Sequence, residues 1–363
     1  MAVQTDIPAN DPQALRQAQA EATLRPRDLA ESLSVSEAHL LAARTGHGVT
    51  RIDPNPDRLL PGLESLGRLM ALTRNDSIVS EVHGTYGGYR AGDHAALVLG
   101  DEIDLRIFPK HWVHGFAVEA ETKQGLRRSF QVFDAAGDAI HKVYLPLDAD
   151  PSDWDALRDS LATGDSSDRL ETAPRPAVED ARTDPEKADK LRQEWDALTD
   201  THQFLMLTRR LKINRLGAYR MAGEPYARRL NAEGLGALLI RMGETGVPGM
   251  IFVGNQGCIQ IKSGPIGPIS TMGPWLNVLD PGFDMHLRGD HVAEVWAVTK
   301  PTRRGPAVSV EAFDAQGGLI TQVFGHRTAE VDHNDAWMEL VASMPSADDA
   351  QDADNAPAAE VAE

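Results

Sequence analysis

The spacing of apolar residues predicts helices at the start of the chain. Pro12 to Leu24 is rich in helix-forming residues. Pro26 to Ala38 has the pattern of a helix, a turn and a second helix, with Ser34 or Ser36 as the N-cap. This pattern is shared by DNA-binding helix-turn-helix motifs and by plain helical hairpins, so it does not by itself indicate a function.

From about residue 66 to residue 147 the apolar period changes to two, which predicts strands. Ile103, Leu105 and Ile107 fall on one face, and Arg106 falls on the other face together with Asp104. Ala95–Leu99 and Ser129–Phe133 are predicted to be neighbouring strands of this one. Asp134–Asp138 is predicted to be a tight turn, and Ile140–Leu147 the strand that returns from it. We therefore predict an antiparallel meander.

The chain then repeats itself. Asp104 and Asp284 are 180 residues apart, and so are Phe133 and Phe313. Apolar positions of the returning strands match at the same spacing, Ile140 with Ile320 and Val143 with Val323 among them. A shared register over this length predicts an α+β protein made by tandem duplication, in which each half has helices followed by a large antiparallel sheet.

Changes in composition divide the chain. Residues 1–150 hold the first repeat. Residues 151–190 are rich in Asp, Glu, Pro, Ser and Thr and are predicted to be a flexible acidic linker with one short helix around Trp154. Residues 191–335 hold the second repeat. Residues 336–363 form the C-terminal end, whose acidic tail from Ser346 to Glu363 we expect to be disordered.

The composition argues against several classes of function. A formal net charge of −18 disfavours binding to nucleic acid or to an anionic membrane surface. The single cysteine, Cys258, excludes an intramolecular disulfide and a zinc or iron–sulfur site built from cysteines. Residues 1–10 lack the basic start and apolar core of a signal peptide, and no apolar run is long enough to span a membrane. We therefore expect a cytoplasmic protein without membrane insertion.

The candidate for metal chemistry is His202, just after the acidic segment. It is spaced three or four residues from Leu198 and Leu205, so we predict that it lies on the apolar face of an amphipathic helix. Such a histidine is either an ordinary core residue or a ligand. Positive charge collects after it in an otherwise acidic chain, at Arg209, Arg210, Lys212 and Arg215, which form either a solvated basic face or part of a binding site. An imidazole beside a cluster of cations suits a metal-bearing anionic cofactor such as haem.

A second set of cations follows in the C-terminal half. Lys300 precedes a turn that contains Arg303 and Arg304, and Arg327 follows the strand that ends at Phe324. Ammonium and guanidinium groups at a pocket mouth would hold the two propionates of haem by charge-assisted hydrogen bonds. For Arg303 and Arg304 solvation of the turn is the simpler interpretation.

Longer segments carry a family resemblance. Residues 101–108 (DEIDLRIF), 198–204 (LTDTHQF) and 252–261 (FVGNQGCIQI) resemble the HemS/HmuS/ChuS family of bacterial cytoplasmic haem-handling proteins, often called haemin-degrading factors. Residues 300–302 (KPT) and 324–328 (FGHRT) fit the same family. The resemblance extends from about Arg27 to Ala329 and includes both repeats.

The resemblance implies two similar halves whose sheets are stacked centrally, with b-type haem bound between the helices of the second half and those sheets. His202 would be the axial ligand to the iron, and Arg106 would lie on the opposite, distal side. Arg215, Lys300 and Arg327 would contact the propionates. Relatives commonly carry tyrosine at the position of Phe324, so one phenolic hydrogen bond of the haem site is missing in this chain.

Two functions are consistent with these residues. In the first, the protein accepts haem from an importer during iron acquisition and passes it to a downstream acceptor, as a chaperone or store without catalysis. In the second, it resembles haem oxygenase and degrades haem with O₂ and an external reductant or reductase, and Arg106 acts as the catalytic residue on the distal side. A third and weaker interpretation is a haem-responsive DNA-binding regulator that uses the N-terminal helices.

Overall fold

The protein, described here by a computed structural model, forms two units. The structure describes residue 9, residues 11–327 and residues 333–347. Unit 1 comprises the described part of Met1–Asn75 together with Val79–Pro176 and Gly254–Ile261, and unit 2 comprises Asp76–Ile78, Ala177–Val253 and the described part of Lys262–Glu363. Most of the predicted acidic tail, residues 348–363, lies outside the described residues, as do residues 1–8 and 10.

Unit 1 begins with three helices and continues into strands, in the predicted order. Its elements are α1 (Pro12–Glu21), α2 (Pro26–Ser32), α3 (Glu37–Ala42), β1 (Val49–Ile52), α4 (Pro56–Glu64), β2 (Arg68–Arg74), β3 (Ile78–Thr85), β4 (Ala96–Leu99), β5 (Asp104–Ile107), β6 (His114–Thr122), β7 (Gly125–Phe133), β8 (Ala139–Tyr144) and α5 (Pro151–Leu161). Ser36, one of the two predicted caps, caps α3 in a capping box with His39.

Unit 2 repeats this succession of helices and strands. Its elements are α6 (Ala188–Asp196), α7 (Gln203–Leu211), α8 (Arg215–Ala222), β9 (Ala227–Leu230), α9 (Gly234–Thr245), β10 (Gly249–Gly254), β11 (Cys258–Gly264), β12 (Ile269–Met272), β13 (Trp275–Asp280), β14 (Phe283–Arg288), β15 (Glu294–Lys300), β16 (Ala307–Phe313), β17 (Leu319–Gly325) and α10 (Asn334–Ala342). The start of β11, Cys258 to Ile261, belongs to unit 1.

Within unit 1 the strands pair antiparallel in the order β1-β6-β7-β8-β2-β3. β4 and β5 pair with each other, and β5 pairs with the start of β11. The prediction that Ser129–Phe133 lies beside the strand at Ile103–Ile107 is therefore wrong, because that side of β5 is occupied by a strand from about 150 residues later in the chain, a pairing that local periodicity does not reveal.

Within unit 2 the strands pair antiparallel in the order β10-β17-β16-β15-β9, and β12, β13 and β14 form a second meander. The pairing β9–β15–β16–β17–β10 matches β1–β6–β7–β8–β2 strand for strand. The tandem duplication and the α+β class, with helices and antiparallel sheet in each half, are confirmed.

Part of residues 151–190, the segment predicted to be an acidic linker, packs on unit 1, and the short helix predicted around Trp154 is present. Residues 151–161 form α5, and Trp154 and Leu161 are buried. Leu170 is buried in a core cluster of unit 1 with Phe116 and Phe133. Backbone carbonyls of residues 167 and 169 accept hydrogen bonds from Arg51. The few apolar residues of this segment are therefore enough to attach its first part, up to Leu170, although the average composition resembles that of a disordered segment.

The core of unit 2 lies between helices α6 to α8 and the sheet. Trp195, Phe204, Tyr219 and Phe313 are buried there, and the rings of Trp195 and Phe204 meet edge to face with centroids 4.6 Å apart. Burial of each large aromatic side chain contributes roughly 2–3 kcal/mol to folding. This packing holds α7, and with it the candidate site, against β15 and β16.

Candidate functional site

His202 lies at the start of a helix and not within one. The predicted continuous helix is wrong, because α6 ends at Asp196 and α7 begins at Gln203, with His202 as its N-cap. Between the helices the amide of Leu198 donates to the carbonyl of Trp195 and closes a turn. The side chains of Trp195 and Leu198 are buried, whereas the His202 side chain after the turn is exposed to solvent.

The side chain of His202 is 94% exposed. The alternative that His202 is an ordinary core histidine is therefore excluded. The expectation that it lies on the apolar, buried face of its helix is also wrong, because that face of α7 consists of Phe204, Leu207 and Leu211. An imidazole in this position is accessible to a ligand from outside the protein.

Asp200 holds the His202 side chain. Its Oδ1 accepts a hydrogen bond from the His202 backbone amide at 2.8 Å and lies 2.7 Å from the ring Nδ1. These two hydrogen bonds, the backbone one first, lower the pKa of Asp200. Because an ionised carboxylate only accepts, Nδ1 carries the proton and Nε2 keeps its lone pair. This arrangement of imidazole and carboxylate is the one that orients histidine ligands in metal sites.

The exposed face of α7 continues from His202 as an apolar surface. Leu205 is 46% exposed and Met206 is 62% exposed, and they follow His202 at the third and fourth positions. Residues at these spacings lie on one side of a helix, and Arg209 continues the same side one turn later. The surface therefore offers a metal ligand, an apolar area and a cation in succession along one helix.

A buried ionic cluster lies on the other side of α7. Glu311 of β16 accepts hydrogen bonds from Lys300 Nζ of β15 at 2.9 Å and from Arg215 Nη1 of α8 at 2.9 Å. The Tyr219 hydroxyl donates to it at 2.7 Å, and the Ser309 hydroxyl donates to it at 2.8 Å. The structure thus brings together two of the predicted propionate contacts, Arg215 and Lys300, through a carboxylate that the sequence analysis did not single out.

The cations hold Glu311 ionised. Burial by itself raises the pKa of this carboxyl, but the charges of Lys300 and Arg215 and the hydrogen bonds from Lys300 and Tyr219 outweigh it and keep the pKa well below its ordinary value. For Lys300 burial is the largest effect and lowers the pKa, against the attraction of Glu311. We take the cluster as one carboxylate and two cations, since the carboxylate makes four hydrogen bonds.

Phe204 joins the exposed imidazole to this cluster. It follows His202 by two residues, and the centroid of its ring lies 4.9 Å from Lys300 Nζ and 5.9 Å from Arg215 Cζ. Both cations therefore contact the ring by cation–π interactions. The N-terminal turn of α7 carries His202 on its outer side and packs on the cluster with its inner side.

Phe324 and Arg327 lie at the end of β17. Phe324 is opposite Met250 on one neighbouring strand and Ser309 on the other, and its ring centroid is 5.3 Å from that of Phe252. Arg327 is partly buried just beyond the strand. Phe324 is therefore paired in the sheet with Ser309 of the cluster. Unlike a tyrosine, it has no hydroxyl to form a hydrogen bond there.

Arg106 belongs to unit 1. It lies on β5 between the buried Leu105 and Ile107, and its guanidinium pairs with Asp104. The strand alternation predicted for these positions is confirmed, and the role expected for Arg106 stays a prediction.

Sequence reasoning missed Asp200, Tyr219, Met206 and Glu311. Glu311 carried a usable signal, because it is the one charged residue of the strand Ala307–Phe313. Among the described residues no group of three or more histidine, cysteine, aspartate or glutamate side chains is arranged to hold a metal ion. None of the described helices is long and apolar enough to cross a membrane.

Comparisons with known proteins agree with the sequence resemblance. A family model for the haemin-degrading HemS.ChuX domain matches residues 34–161 and again residues 212–344. The hemin transport proteins HmuS of Yersinia pestis and HemS of Yersinia enterocolitica are each 36% identical to the chain over 324 residues, 89% of this chain and 93% of each relative.

Solved structures match over nearly the whole chain. Holo-PhuS, a heme-binding protein from Pseudomonas aeruginosa, is 40% identical with a TM-score of 0.85, covering 92% of this chain and 98% of PhuS. The heme degrading enzyme ChuS of Escherichia coli O157:H7 is 32% identical with a TM-score of 0.82, covering 92% and 97%. The chain therefore belongs to the HemS/HmuS/ChuS family and carries two copies of its haemin-degrading HemS.ChuX domain.

Proposed function

We propose that the protein binds haem in its second unit and passes it on during haem uptake and iron acquisition. The observation that carries the proposal is the exposed His202, oriented by Asp200 and followed on α7 by exposed apolar side chains. The similarity to hemin transport proteins and to heme-binding PhuS over most of the chain supports it.

The residues of unit 2 fit the chemistry of haem. Nε2 of His202 would bind the iron, and Leu205 and Met206 would contact the apolar ring. Arg215, with its side chain 21% exposed, and the partly buried Arg327 would meet the propionates. Cys258, the single cysteine of the sequence, is buried, which fits a non-covalent, b-type haem. A titration that gives one haem per chain with a histidine-ligated spectrum would support the proposal, and absence of binding would overturn it.

Asp200→Asn is expected to weaken haem binding about tenfold, since the carboxylate that orients a histidine ligand typically accounts for roughly 10–100-fold in affinity. The ring would also lose negative charge at Nδ1, so the haem complex should be easier to reduce. Soret titration and a reduction potential measure the two effects. Asp196→Asn is the matched control, because this exposed carboxylate accepts from the Tyr226 hydroxyl and does not contact His202. Equal affinities for Asp200→Asn and the wild type would contradict the assignment.

Degradation of haem is the second candidate function. It is favoured by the similarity to ChuS, described as a heme degrading enzyme and as a heme oxygenase. Bound haem supplies the iron at which oxygen chemistry takes place. Arg106 is proposed to donate a hydrogen bond on the distal side, and electrons would come from an external reductant. A defined tetrapyrrole product formed with haem, reductant and air in the presence of catalase would support this function, whereas turnover abolished by catalase would leave transfer alone.

Arg106→Ala is expected to lower catalase-resistant turnover about 100-fold and to leave haem affinity within about twofold, because loss of one hydrogen bond to the reacting group typically costs 10²–10³ in rate. Arg90→Ala, at an exposed arginine of unit 1, is the control. Turnover of Arg106→Ala equal to that of the control would refute a catalytic role for Arg106. The importer, the acceptor or reductase and the cytoplasmic location stay predictions, as does the absence of nucleic-acid binding.

A further inference from the structure

Glu311 occupies the place where a ligand carboxylate would meet Lys300 and Arg215. Its side chain is 0% exposed, and the two cations approach different oxygens, Lys300 at Oε1 and Arg215 at Oε2. Ser309 and Tyr219 donate to the same two oxygens. Two of the cations assigned to the propionates, Arg215 and Lys300, are thus already bound to a carboxylate of the protein.

The cluster therefore keeps one net positive charge, because two cations surround one anion. Arg215 is 21% exposed at its side chain, whereas Lys300 is 3% exposed. A ligand carboxylate would reach Arg215 first and would then share both cations with Glu311. In this buried setting the two carboxylates would repel each other more strongly than they would in water.

We propose that Glu311 competes with the haem propionate for Arg215 and Lys300 and thereby keeps haem binding reversible. The inference rests on the proposed haem binding and deepens it. A carrier must release its cargo, and an internal carboxylate provides the cations with a partner once the propionate leaves. Without it, departure of the ligand would leave two buried cations without a counter-charge, which is costly.

Glu311→Gln tests the proposal, because the amide keeps the shape and one acceptor oxygen and removes the charge. We expect haem affinity to rise about tenfold, or about 1.4 kcal/mol, and the affinity for haem dimethyl ester, which has no propionate charge, to stay unchanged. Transfer of haem to excess apomyoglobin should slow by a similar factor. Both affinities are measured by Soret titration of the full chain.

Ser309→Ala is the matched control, since it removes a hydrogen bond to Oε1 of Glu311, the oxygen that Lys300 also contacts, and leaves the charge of Glu311 unaltered. Its ratio of haem to ester affinity should equal that of the wild type. If the wild type binds no haem, the proposed function fails. If the wild type binds haem and Glu311→Gln leaves the ratio unchanged or lowers it, the competition fails while the proposed function stands.

A second variant covers the case in which Glu311→Gln does not fold. Glu311→Gln combined with Lys300→Met replaces a buried ion pair by neutral groups, which proteins often tolerate. The net charge of the cluster stays at one, so the ratio of haem to ester affinity should match that of the wild type. A ratio tenfold away from the wild-type value in a folded double variant would overturn the proposal.

Discussion

His202→Ala is expected to lose or greatly change the Soret band of the haem complex and to weaken haem binding by on the order of a hundredfold or more. The imidazole is the ligand proposed for the iron, and its 94% exposed side chain packs in no core, so the loss should not arise from unfolding. Soret titration measures the affinity, and circular dichroism checks the fold.

Two controls sharpen this result. His47→Ala removes another exposed histidine, in unit 1, and should leave the spectrum unaltered. Imidazole added to His202→Ala should restore a histidine-like spectrum, because the small ligand can occupy the space left beside Leu205 and Met206. A spectrum of His202→Ala that equals that of the wild type would remove His202 from the site.

Acidification from pH 7 to pH 5 is expected to destabilise unit 1 by about 2 kcal/mol through His141 alone. This histidine of β8 is buried between Tyr86, whose hydroxyl lies 2.6 Å from Nε2, and Thr73, whose hydroxyl lies 2.9 Å from Nδ1. Trp112 stacks on the ring at 6.3 Å. Thr73 donates to Cys258 Sγ and so accepts from Nδ1, while the Tyr86 hydroxyl donates to Nε2. Both nitrogens are thus satisfied in the neutral ring.

The direction of this pH dependence follows from proton binding by the folded and unfolded chain. Burial lowers the pKa of His141 from 6.5 to about 3. The unfolded chain therefore takes up a proton below pH 6.5 and the folded chain does not, so stability is full above pH 6.5 and is lost as pH falls toward 3. Between pH 7 and pH 5 the free energy of unfolding contributed by His141 therefore falls by about 2 kcal/mol.

Urea unfolding of the wild type and of His141→Gln at the two pH values measures this contribution. The variant is expected to be less stable at pH 7 and to lose about 2 kcal/mol less than the wild type on acidification. Burial also lowers the pKa of His39 and His114 in the same unit, so part of the pH dependence should persist. His47→Gln, at an exposed position, should retain the full loss. An equal loss in His141→Gln and the wild type would contradict the buried neutral histidine.

Local patterns of the sequence were sufficient for much of the fold. The period-two alternation at Ile103, Leu105 and Ile107 predicts a strand with one buried face, and all three side chains are fully buried. The repeated spacing between Asp104 and Asp284 predicts the duplication, and the two series of paired strands confirm it. Alternation and repetition are properties of neighbouring residues, so they can be read along the chain.

The candidate site was predicted less completely. His202 was selected by its position among apolar residues, but the structure removes it from that apolar face because the chain turns at Leu198 and α7 begins only at Gln203. A helix and a helix broken by a turn have similar apolar spacing, so the pattern cannot distinguish them. The exposure of the imidazole, which matters for ligand binding, depends on this turn.

The sequence by itself determined the class of the protein, the two repeats and the family, and it proposed the ligand histidine. The tertiary structure alone decided that β5 pairs with β11, that Asp200 orients His202 and that Glu311 lies between Arg215 and Lys300. Glu311 and Arg215 are 96 residues apart in the chain. Their meeting depends on the packing of α8 against β16, and no spacing or composition encodes such a contact, since many chain paths are compatible with the same local pattern.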